Sequence, residues 1–401
     1  MEGRVAEITR NILDEVRRNV VLDGDLAYIR DPVFGIVRNR VHAEVVKALL
    51  RTGETKLVGS ILRFVAAAQN GDGSWNEIHV NYNQPSALIT SFIGEALVDA
   101  HDYYPHGTPL RKARDYVLAK ELRPGYFLKS SQYTADHLNV DASCGAFLAR
   151  YGDLFGDGVA LAAAARAAEN IVKNQWASGV YPYAVDKGTY PYAFDVPCVH
   201  YQAVTMYYLA KINTVLSDDR VEASLRKAAE WLIGQQRRDG RFDWSGSGLM
   251  FAYYLSGAYG FAYASLDYLA RRDEAYRQYA DRSLQGLARS LDGLVLRWEP
   301  GSWVDFVPSV HTAVRTAALG TFPLQHRAFR LGYGMYRQIA RRRYADAVDS
   351  RTFDILCRML RIQTSTVEPP KNFPDLFMTS EVLDCLTQSL VWENHYETGI
   401  A

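Results

Sequence analysis

Apolar residues recur at helical spacing along most of the chain, and the resulting segments alternate between two kinds. One kind is amphipathic, with its apolar residues on a single face. The other kind is apolar on nearly every face. A one-sided helix packs on the outside of a domain, whereas a helix that is apolar all round is buried. The pattern therefore predicts pairs of outer and inner helices.

These pairs make the expected fold class all-α, in one domain covering residues 1–401. The predicted outer helices span residues 5–18, 55–68, 110–122, 159–174, 220–236 and 274–291. The predicted inner helices span residues 38–50, 85–100, 136–150, 195–216, 248–269, 307–319 and 378–391. Two further helices are predicted at 329–343 and 351–361. No linker and no series of strands is expected between them.

The turns that follow the outer helices share a motif. Gln69 lies near a helix end, Gly73 follows four residues later, and Trp75 comes two residues after that. Glycine supplies the left-handed backbone that ends a helix, and the glutamine amide can bond free carbonyls at the helix end. The same order recurs at Gln175, Gly179 and Tyr181 and at Gln236, Gly240 and Phe242. Such self-similarity predicts stacked helix pairs.

The Gln-x-x-x-Gly-x-Trp turn of Gln69, Gly73 and Trp75 resembles the repeat of the squalene-cyclase and protein-prenyltransferase superfamily. Similar turns occur in polysaccharide lyases and glycoside hydrolases of the toroid fold. The resemblance implies an α/α toroid (barrel) of six or seven helical hairpins. It concerns where helices turn and implies no particular chemistry in the cavity.

Composition and charge exclude several kinds of partner. Hydrophobic residues make up 48% of the chain and charged residues 22%, as in a globular protein. The 45 acidic and 45 basic residues balance, which argues against binding nucleic acid or an anionic membrane. No apolar run reaches the ~18 residues of a membrane span. The charged N-terminus lacks an apolar signal segment, so we expect a cytoplasmic protein.

The cysteines have no metal-binding spacing. They are Cys144, Cys198, Cys357 and Cys385, all in apolar helical segments. Widely spaced cysteines in such segments are typical of buried free thiols. We therefore expect neither a metal site nor another cofactor.

Polar and aromatic side chains accumulate where the inner helices are predicted to begin. In an α/α toroid the inner helices run in one direction, so their starts meet at one mouth. A cleft with a few polar groups on an aromatic lining is the usual ligand site. The expected catalytic residues are His137, His200, Tyr201 and Tyr254. The expected substrate-binding residues are Asn81, Asn83, Gln84, Trp75, Tyr192, Asp195, Tyr253, Trp303, His311 and Arg315.

Helix capping is the competing interpretation for part of this set. An aspartate at a helix start accepts hydrogen bonds from free backbone N–H groups, and this would account for Asp136 and Asp195. His42 is interpreted as a histidine with satisfied hydrogen bonds in the core or at the mouth. Imidazoles, phenols and amides arriving from several helices are harder to explain by capping.

These residue types fit β-elimination on a uronate. That reaction needs a group that neutralises the substrate carboxylate, a base for the C5 proton and an acid for the leaving oxygen. Amides, histidine and arginine can neutralise, and tyrosine and histidine can transfer protons. We therefore predict an enzyme that cleaves an acidic (uronate-containing) oligo- or polysaccharide. Its partner is a small-molecule or oligosaccharide substrate.

Three alternatives remain open. A terpene cyclase is suggested by the repeat, but residues 195–198 (DVPC) lack the acids of the Asp-x-Asp-Asp motif. A glycoside hydrolase needs two facing carboxylates, for which Asp141, Asp195 and Asp305 are the candidates. The third alternative is a helical scaffold or sugar-binding protein without catalytic activity.

Overall fold

The computed structural model describes residues 2–32, 35–79, 82–104, 107–186, 188–189, 197–238, 240, 242, 255–290 and 376–397. Within these ranges the chain forms twelve α-helices, two 3₁₀ turns and six short strands. The predicted helices at 307–319, 329–343 and 351–361 lie outside the described residues, as does Cys357. Cys144, Cys198 and Cys385 are buried free thiols.

The helices alternate between an outer and an inner layer along the chain. The outer helices are α1 (Glu2–Arg18), α3 (Val58–Ala67), α5 (Gly107–Ala119), α7 (Gly158–Asn174), α9 (Asp219–Gly234) and α11 (Arg277–Ser290). The inner helices are α2 (Asn39–Arg51), α4 (Ala87–Asp99), α6 (Leu138–Phe155), α8 (Val199–Leu216), α10 (Leu255–Ala270) and α12 (Leu376–Glu397). The 3₁₀ turns Thr55–Leu57 and Glu274–Tyr276 precede α3 and α11.

The inner helices close into a ring. Each packs against the next in the order α2, α4, α6, α8, α10 and α12, and α12 packs back against α2. The outer helices α3, α5, α7, α9 and α11 each pack on the inner helix before them, and α1 packs on α12. The α/α toroid predicted from the sequence is confirmed. None of the described helices is long and apolar enough to cross a membrane.

Burial follows the two kinds of helix that the sequence shows. Every residue of α4 from Ala87 to Val98 is buried, whereas α5 buries only Leu110, Ala113, Tyr116 and Val117. A fully buried aliphatic side chain contributes about 1.5–3 kcal/mol relative to an exposed one. The inner layer therefore carries most of the hydrophobic stabilisation.

The glutamine turns tie consecutive outer helices together. The Gln69 amide donates to Gly73 O at 3.0 Å and also to Pro109 O, in α5, at 2.9 Å. Gln175 repeats this with Gly179 O at 3.1 Å and Ser224 O, in α9, at 2.9 Å. A Cβ atom at Gly179 would lie 2.1 Å from Lys227 O, and its φ is +95°. Only glycine fits there, because the turn presses against the neighbouring helix.

Three of the connections form strands, which the sequence did not predict. The antiparallel pairs are β1 (Val20–Asp23) with β2 (Leu26–Ile29), β3 (Trp75–His79) with β4 (Tyr82–Ser86), and β5 (Glu121–Arg123) with β6 (Tyr126–Phe127). Strands of two to five residues are too short for a period-two pattern to stand out. They form hairpins that lead from the outer helices α1, α3 and α5 into the inner helices α2, α4 and α6.

His42 joins the first hairpin to α2. Its Nε2 accepts a hydrogen bond from Ile29 N–H at 2.8 Å, and its Nδ1–H donates to Arg38 O at 2.8 Å. Burial lowers the pKa of His42 to about 4, so the imidazole is neutral at pH 7. His42 is therefore a structural core histidine, as the sequence analysis interpreted it.

An axial charge cluster fills the barrel interior toward the end where α2 and α4 terminate. It consists of Lys47, Arg51, Glu95, Asp99, Arg150, Lys211 and Asp384. Asp384 accepts from Lys47 at 2.9 Å and from Arg51 at 2.8 Å, while Glu95 lies 2.5 Å from Lys211. Asp99 pairs with Arg51 at 3.1 Å and with Arg150. Five inner helices thus meet through opposite charges rather than apolar side chains.

Candidate active site

The described inner helices begin at one end of the barrel. Arg40, in the first turn of α2, lies 2.5 Å from Glu381, in the first turns of α12. A Cβ atom at Gly257, in the first turn of α10, would lie 3.2 Å from His200 Cε1, in the first turn of α8. At the far end, Arg51 and Asp99 pair as the last residues of α2 and α4. The first turns of these inner helices lie together at one end of the barrel and their last residues lie together at the other, so the helices are parallel.

A cavity lies among these helix starts. It contains about 550 Å³ of empty space, counting the part that is open to solvent. The described residues that line it are Arg40, Glu77, Leu88, Phe92, Lys129, His137, Asn139, Val140, Tyr183, His200, Tyr201, Val204, Phe377 and Glu381. They come from α2, α4, α6, α8 and α12 and from three of the connections. The convergence expected from the toroid is therefore present.

Four rings cross the cavity wall in an unbroken row, which we call the imidazole–phenol row: His137, Tyr183, Tyr201 and His200. The ring centroids of His137 and Tyr183 are 5.0 Å apart, and those of Tyr183 and Tyr201 are 4.3 Å apart. Tyr201 and His200 complete the row at 4.9 Å. Three of the four expected catalytic residues thus lie together, and Tyr183 joins them.

Both imidazoles of the row are neutral at pH 7. Burial lowers the pKa of His137 to about 3, and the positive charge of Lys129 acts in the same direction. Burial also lowers the pKa of His200 to about 3, with a further contribution from Arg40. A neutral imidazole offers one nitrogen as a proton acceptor, and a negatively charged ligand beside it would raise its pKa toward the near-neutral value that suits a general base.

Three ion pairs, made by the two cations Lys129 and Arg40, border the row, and the sequence analysis missed both cations. Lys129 Nζ lies 3.0 Å from Glu77 Oε1. Arg40 pairs with Glu381 at 2.5 Å and with Glu44 at 2.7 Å. The signal for Arg40 and Glu381 was a charged residue near an inner helix start, in the first turn of α2 and the second turn of α12.

Capping does not explain the polar residues at three of the described inner starts, whereas Ser86 caps α4 by accepting from Ile89 N–H at 3.5 Å. Arg38, His137 and Cys198 hold the N-cap positions of α2, α6 and α8, and none makes a side-chain capping bond. The capping interpretation of Asp136 is therefore wrong. Its carboxylate lies 3.4 Å from the Asn170 amide and 3.5 Å from Arg123 instead.

Outer helices use capping in the ordinary way. Asp157 accepts from the N–H groups of Val159 at 2.9 Å and Ala160 at 3.1 Å at the start of α7. Asp218 accepts from Arg220 N–H at 2.8 Å at the start of α9. The inner starts instead direct their helix dipoles, positive at this end, toward the cavity. Such a field favours a negatively charged ligand.

Trp75 does not have the substrate-binding role expected of it. Its side chain is fully buried, and its indole N–H donates to Val65 O at 2.7 Å. The aromatic ring of the turn folds back on the end of α3, so it is not presented to a ligand. This correction follows from the motif itself, since one ring cannot both close the turn and line the mouth.

The other expected binding residues either do not line the cavity or lie outside the described residues. Asn83 and Gln84 lie on β4, where Asn83 Oδ1 accepts from Asn76 at 2.8 Å and Gln84 Oε1 accepts from Ser131 at 3.5 Å. Neither is among the described lining residues. The expected residues that lie outside the described residues are Asn81, Tyr192, Asp195, Tyr253, Tyr254, Trp303, His311 and Arg315.

Asp141, a candidate hydrolase carboxylate, is a structural residue. It is fully buried and accepts from Phe127 N–H at 2.8 Å and from Asn170 at 3.0 Å. Burial and the neighbouring Asp136 raise its pKa well above the usual range. It does not line the cavity. Asp195 and Asp305, the other two candidates, lie outside the described residues.

No protein-family profile matches the chain, and no curated protein matches it in sequence. Solved structures match its fold. An α-1,6-mannanase of Salegentibacter sp. HEL1_6 has a TM-score of 0.61 at 9% identity, covering 97% of this chain and 99% of that one. An unsaturated glucuronyl hydrolase specific for heparin has a TM-score of 0.60 at 10% identity, covering 98% and 99%.

A third similar structure is a type II terpene cyclase from Scytonema, in complex with geranylgeranyl dihydroxybenzoate. Its TM-score is 0.54 at 12% identity, and the match covers 97% of this chain and 98% of that one. At these identities the comparisons establish the α/α toroid and leave the reaction to be argued from the site.

Proposed function

We propose that this chain is a carbohydrate-active enzyme that cleaves an acidic, uronate-containing oligo- or polysaccharide by β-elimination. The observation that carries the proposal is the imidazole–phenol row, which lines a cavity bordered by cations and by the starts of parallel helices. Proton acceptors, proton donors and positive charge are the three things that this elimination requires.

The row supplies both proton transfers. A neutral imidazole, His137 or His200, removes the proton from C5 of the uronate, and the electron pair forms the C4–C5 double bond as the C4–oxygen bond breaks. A phenol between them, Tyr183 or Tyr201, donates its proton to the leaving oxygen. Each such transfer is worth roughly 10²–10⁴ in rate. The adjacent Tyr rings also suit the apolar faces of sugar rings.

Two cations and the positive ends of helix dipoles at the mouth support an acidic substrate, while Glu77 and Glu381 balance the formal charge of the described lining. Removing a proton beside a carboxylate builds up negative charge, and preorganised donors stabilise that charge in a partly desolvated site. Lys129 and Arg40 line the cavity, and the starts of α6 and α8 point toward it. Two of the similar structures are carbohydrate-cleaving enzymes by their names, one of them specific for heparin.

A glycoside hydrolase is the second candidate, because the structure offers a carboxylate pair that the sequence analysis did not find. Glu77 and Glu381 both line the cavity, one from β3 and the other from α12. Hydrolysis of a glycosidic bond uses two such groups. Each of them, however, forms an ion pair with a cation, Lys129 or Arg40 respectively.

A terpene cyclase is less well supported by this lining. A hydrocarbon substrate needs an apolar cavity, yet charged and polar side chains from α2, α6, α8, α12 and β3 line this one. Burying apolar substrate against charged groups would carry a desolvation penalty.

Ultraviolet absorbance of the reaction products tests the proposal. We expect the purified protein to release products with the absorbance of an unsaturated uronate from at least one uronate polymer. His200→Ala should abolish that signal, while Asp218→Ala, on an outer helix, should leave it unchanged. New reducing ends without ultraviolet absorbance would indicate hydrolysis and contradict elimination. No cleavage of any uronate polymer would contradict the proposed function as a whole.

A further inference from the structure

We propose that Lys129 binds the carboxylate of the substrate and thereby selects acidic over neutral sugars. The inference rests on the proposed function, because it names the residue that recognises the uronate at the same site. The sequence analysis counted Asn81, Asn83, Gln84 and Arg315 among the substrate-binding residues and did not consider Lys129.

The backbone around Lys129 is fixed on both sides. Lys129 O accepts a hydrogen bond from the N–H of Ala87, the first residue of α4, at 2.9 Å. Leu128 N–H donates to Lys120 O at 2.9 Å, and Ser130 Oγ accepts from the Tyr82 hydroxyl at 2.9 Å. Lys129 therefore projects from a rigid connection between β6 and α6, as a preorganised binding group should.

The ammonium group has capacity for a further acceptor. Its Nζ lies 3.0 Å from Glu77 Oε1 and 4.7 Å from the centre of the Tyr133 ring. An ammonium has three N–H donors, and the ion pair with Glu77 uses one of them. The side chain retains 15% of its exposure, at the cavity wall. A carboxylate entering the cavity can therefore reach Nζ without breaking the pair with Glu77.

Arg40, the other cation of the lining, is committed to the protein. Its guanidinium bonds Glu44 at 2.7 Å and Glu381 at 2.5 Å. It also lies 4.8 Å from the ring centre of Phe92 and 5.0 Å from that of Phe377. With two carboxylates and two ring faces around it, Arg40 joins α2 to α12 and has little capacity for a ligand.

A carboxylate on Lys129 would place the reacting carbon correctly. Lys129, Glu77 and His137 line the same cavity, and the charges of the first two affect the pKa of His137. In a uronate, C5 is bonded directly to the carboxylate carbon. Binding that group at Lys129 therefore brings the C5 proton to the His137 end of the imidazole–phenol row. It leaves the phenols of Tyr183 and Tyr201 for the leaving oxygen.

Kinetics on matched substrates test the assignment. The substrates are a uronate polymer that the wild type cleaves and its methyl ester, which lacks the negative charge. We expect Lys129→Met to raise KM for the acid at least tenfold and to leave KM for the ester unchanged. Lys129→Arg should recover part of the preference for the acid.

Two further variants control for folding and for general charge effects. Lys120→Met removes a lysine that also lies 4.7 Å from a ring centre, that of Tyr116, but does not line the cavity. It should leave both KM values unchanged. The double variant Glu77→Gln/Lys129→Met avoids leaving an unpaired carboxylate, and it should show the same loss of preference as Lys129→Met.

Calorimetric binding of glucuronate and glucose separates this inference from the proposed reaction. We expect the wild type to bind glucuronate at least tenfold more tightly than glucose, and Lys129→Met to lose that preference. Cleavage with an unchanged acid preference in Lys129→Met would overturn the assignment and leave the reaction standing. Glucuronate binding that depends on Lys129, without cleavage of any polymer, would support the assignment and overturn the proposed reaction. Equal binding of the two sugars by an inactive wild type would overturn both.

Discussion

The two ends of the barrel use charge in opposite ways, although the same inner helices build both. In the axial charge cluster, Asp384 and Glu95 lie within 3.5 Å of Lys47 and further cations, deep in the protein. At the mouth, Lys129 and Glu77 form an ion pair beside an open cavity. The far end uses its charges to hold helices together, whereas the mouth keeps charges next to space that a ligand can enter.

The largest effect is expected from breaking the axial charge cluster. Asp384 accepts from Lys47, Arg51 and the Tyr207 hydroxyl, at 2.9, 2.8 and 3.1 Å, and these cations hold its pKa far below the usual range. Asp384→Asn removes one of the two carboxylates with which Lys47 and Arg51 each pair. Removing one member of a buried ion pair costs about 3–5 kcal/mol. Chemical denaturation should show that loss in the free energy of unfolding. A change of less than about 1 kcal/mol would show that the cluster does not stabilise the packing of the inner helices.

Two tyrosines on α8 lie at the mouth and beside the axial charge cluster, respectively, and should have different roles. Tyr201 belongs to the imidazole–phenol row, and Tyr207, fully buried, donates to Asp384. Tyr201→Phe should lower kcat by roughly 10²-fold or more with little change in stability. Tyr207→Phe should lower the unfolding free energy by about 1.5–3 kcal/mol, because the lost bond has a charged acceptor. Measurements of kcat and of thermal unfolding on both variants test this. Equal losses of activity and of stability in the two variants would contradict a catalytic role for Tyr201 and a structural role for Tyr207.

Acid pH should destabilise the protein through its buried histidines. The pKa of His42 falls from about 6.5 in the unfolded chain to about 4 in the fold. The unfolded state therefore binds the proton first as pH decreases. The stabilisation is complete above pH ~6.5 and is lost as pH falls toward 4, by about 3 kcal/mol for this residue. His42→Gln should reduce the pH dependence of the unfolding free energy between pH 7 and 4, with the remainder coming from His137 and His200, and an unchanged slope would contradict this role.

The smallest effect is expected at an outer helix start. Asp218→Ala removes the cap of α9, which should cost about 1 kcal/mol of stability. Activity should not change, because this start faces away from the cavity lining. A loss of activity comparable to that of Tyr201→Phe would mean that outer and inner starts are not functionally distinct.

Local patterns in the sequence predicted the layers of the fold. The apolar face of α5 and the all-round apolarity of α4 assign them correctly to outside and inside. The short strands were missed because two to five residues carry too little periodicity. His137, His200 and Tyr201 were found because each falls at a predicted inner start.

What the sequence could not show depends on ring closure. Lys47 sits in an apolar helix near the N-terminus, and its partner Asp384 is in the last described helix. Nothing local to either residue indicates the other. Lys129 was missed for a related reason: it lies in a connection, and only the packing of that connection against α4 brings it to the cavity. Trp75 is the opposite case: it was predicted to bind substrate, but its ring is buried against the end of α3, where it closes the turn.

The most direct test of the account is a crystal structure of the His200→Ala variant with an uncleaved acidic oligosaccharide. We predict a uronate in the cavity among the inner helix starts, with its carboxylate on Lys129 and its glycosidic oxygen beside Tyr183 and Tyr201. An oligosaccharide bound away from these helix starts, with the imidazole–phenol row untouched, would contradict the central claim that the mouth is the catalytic site.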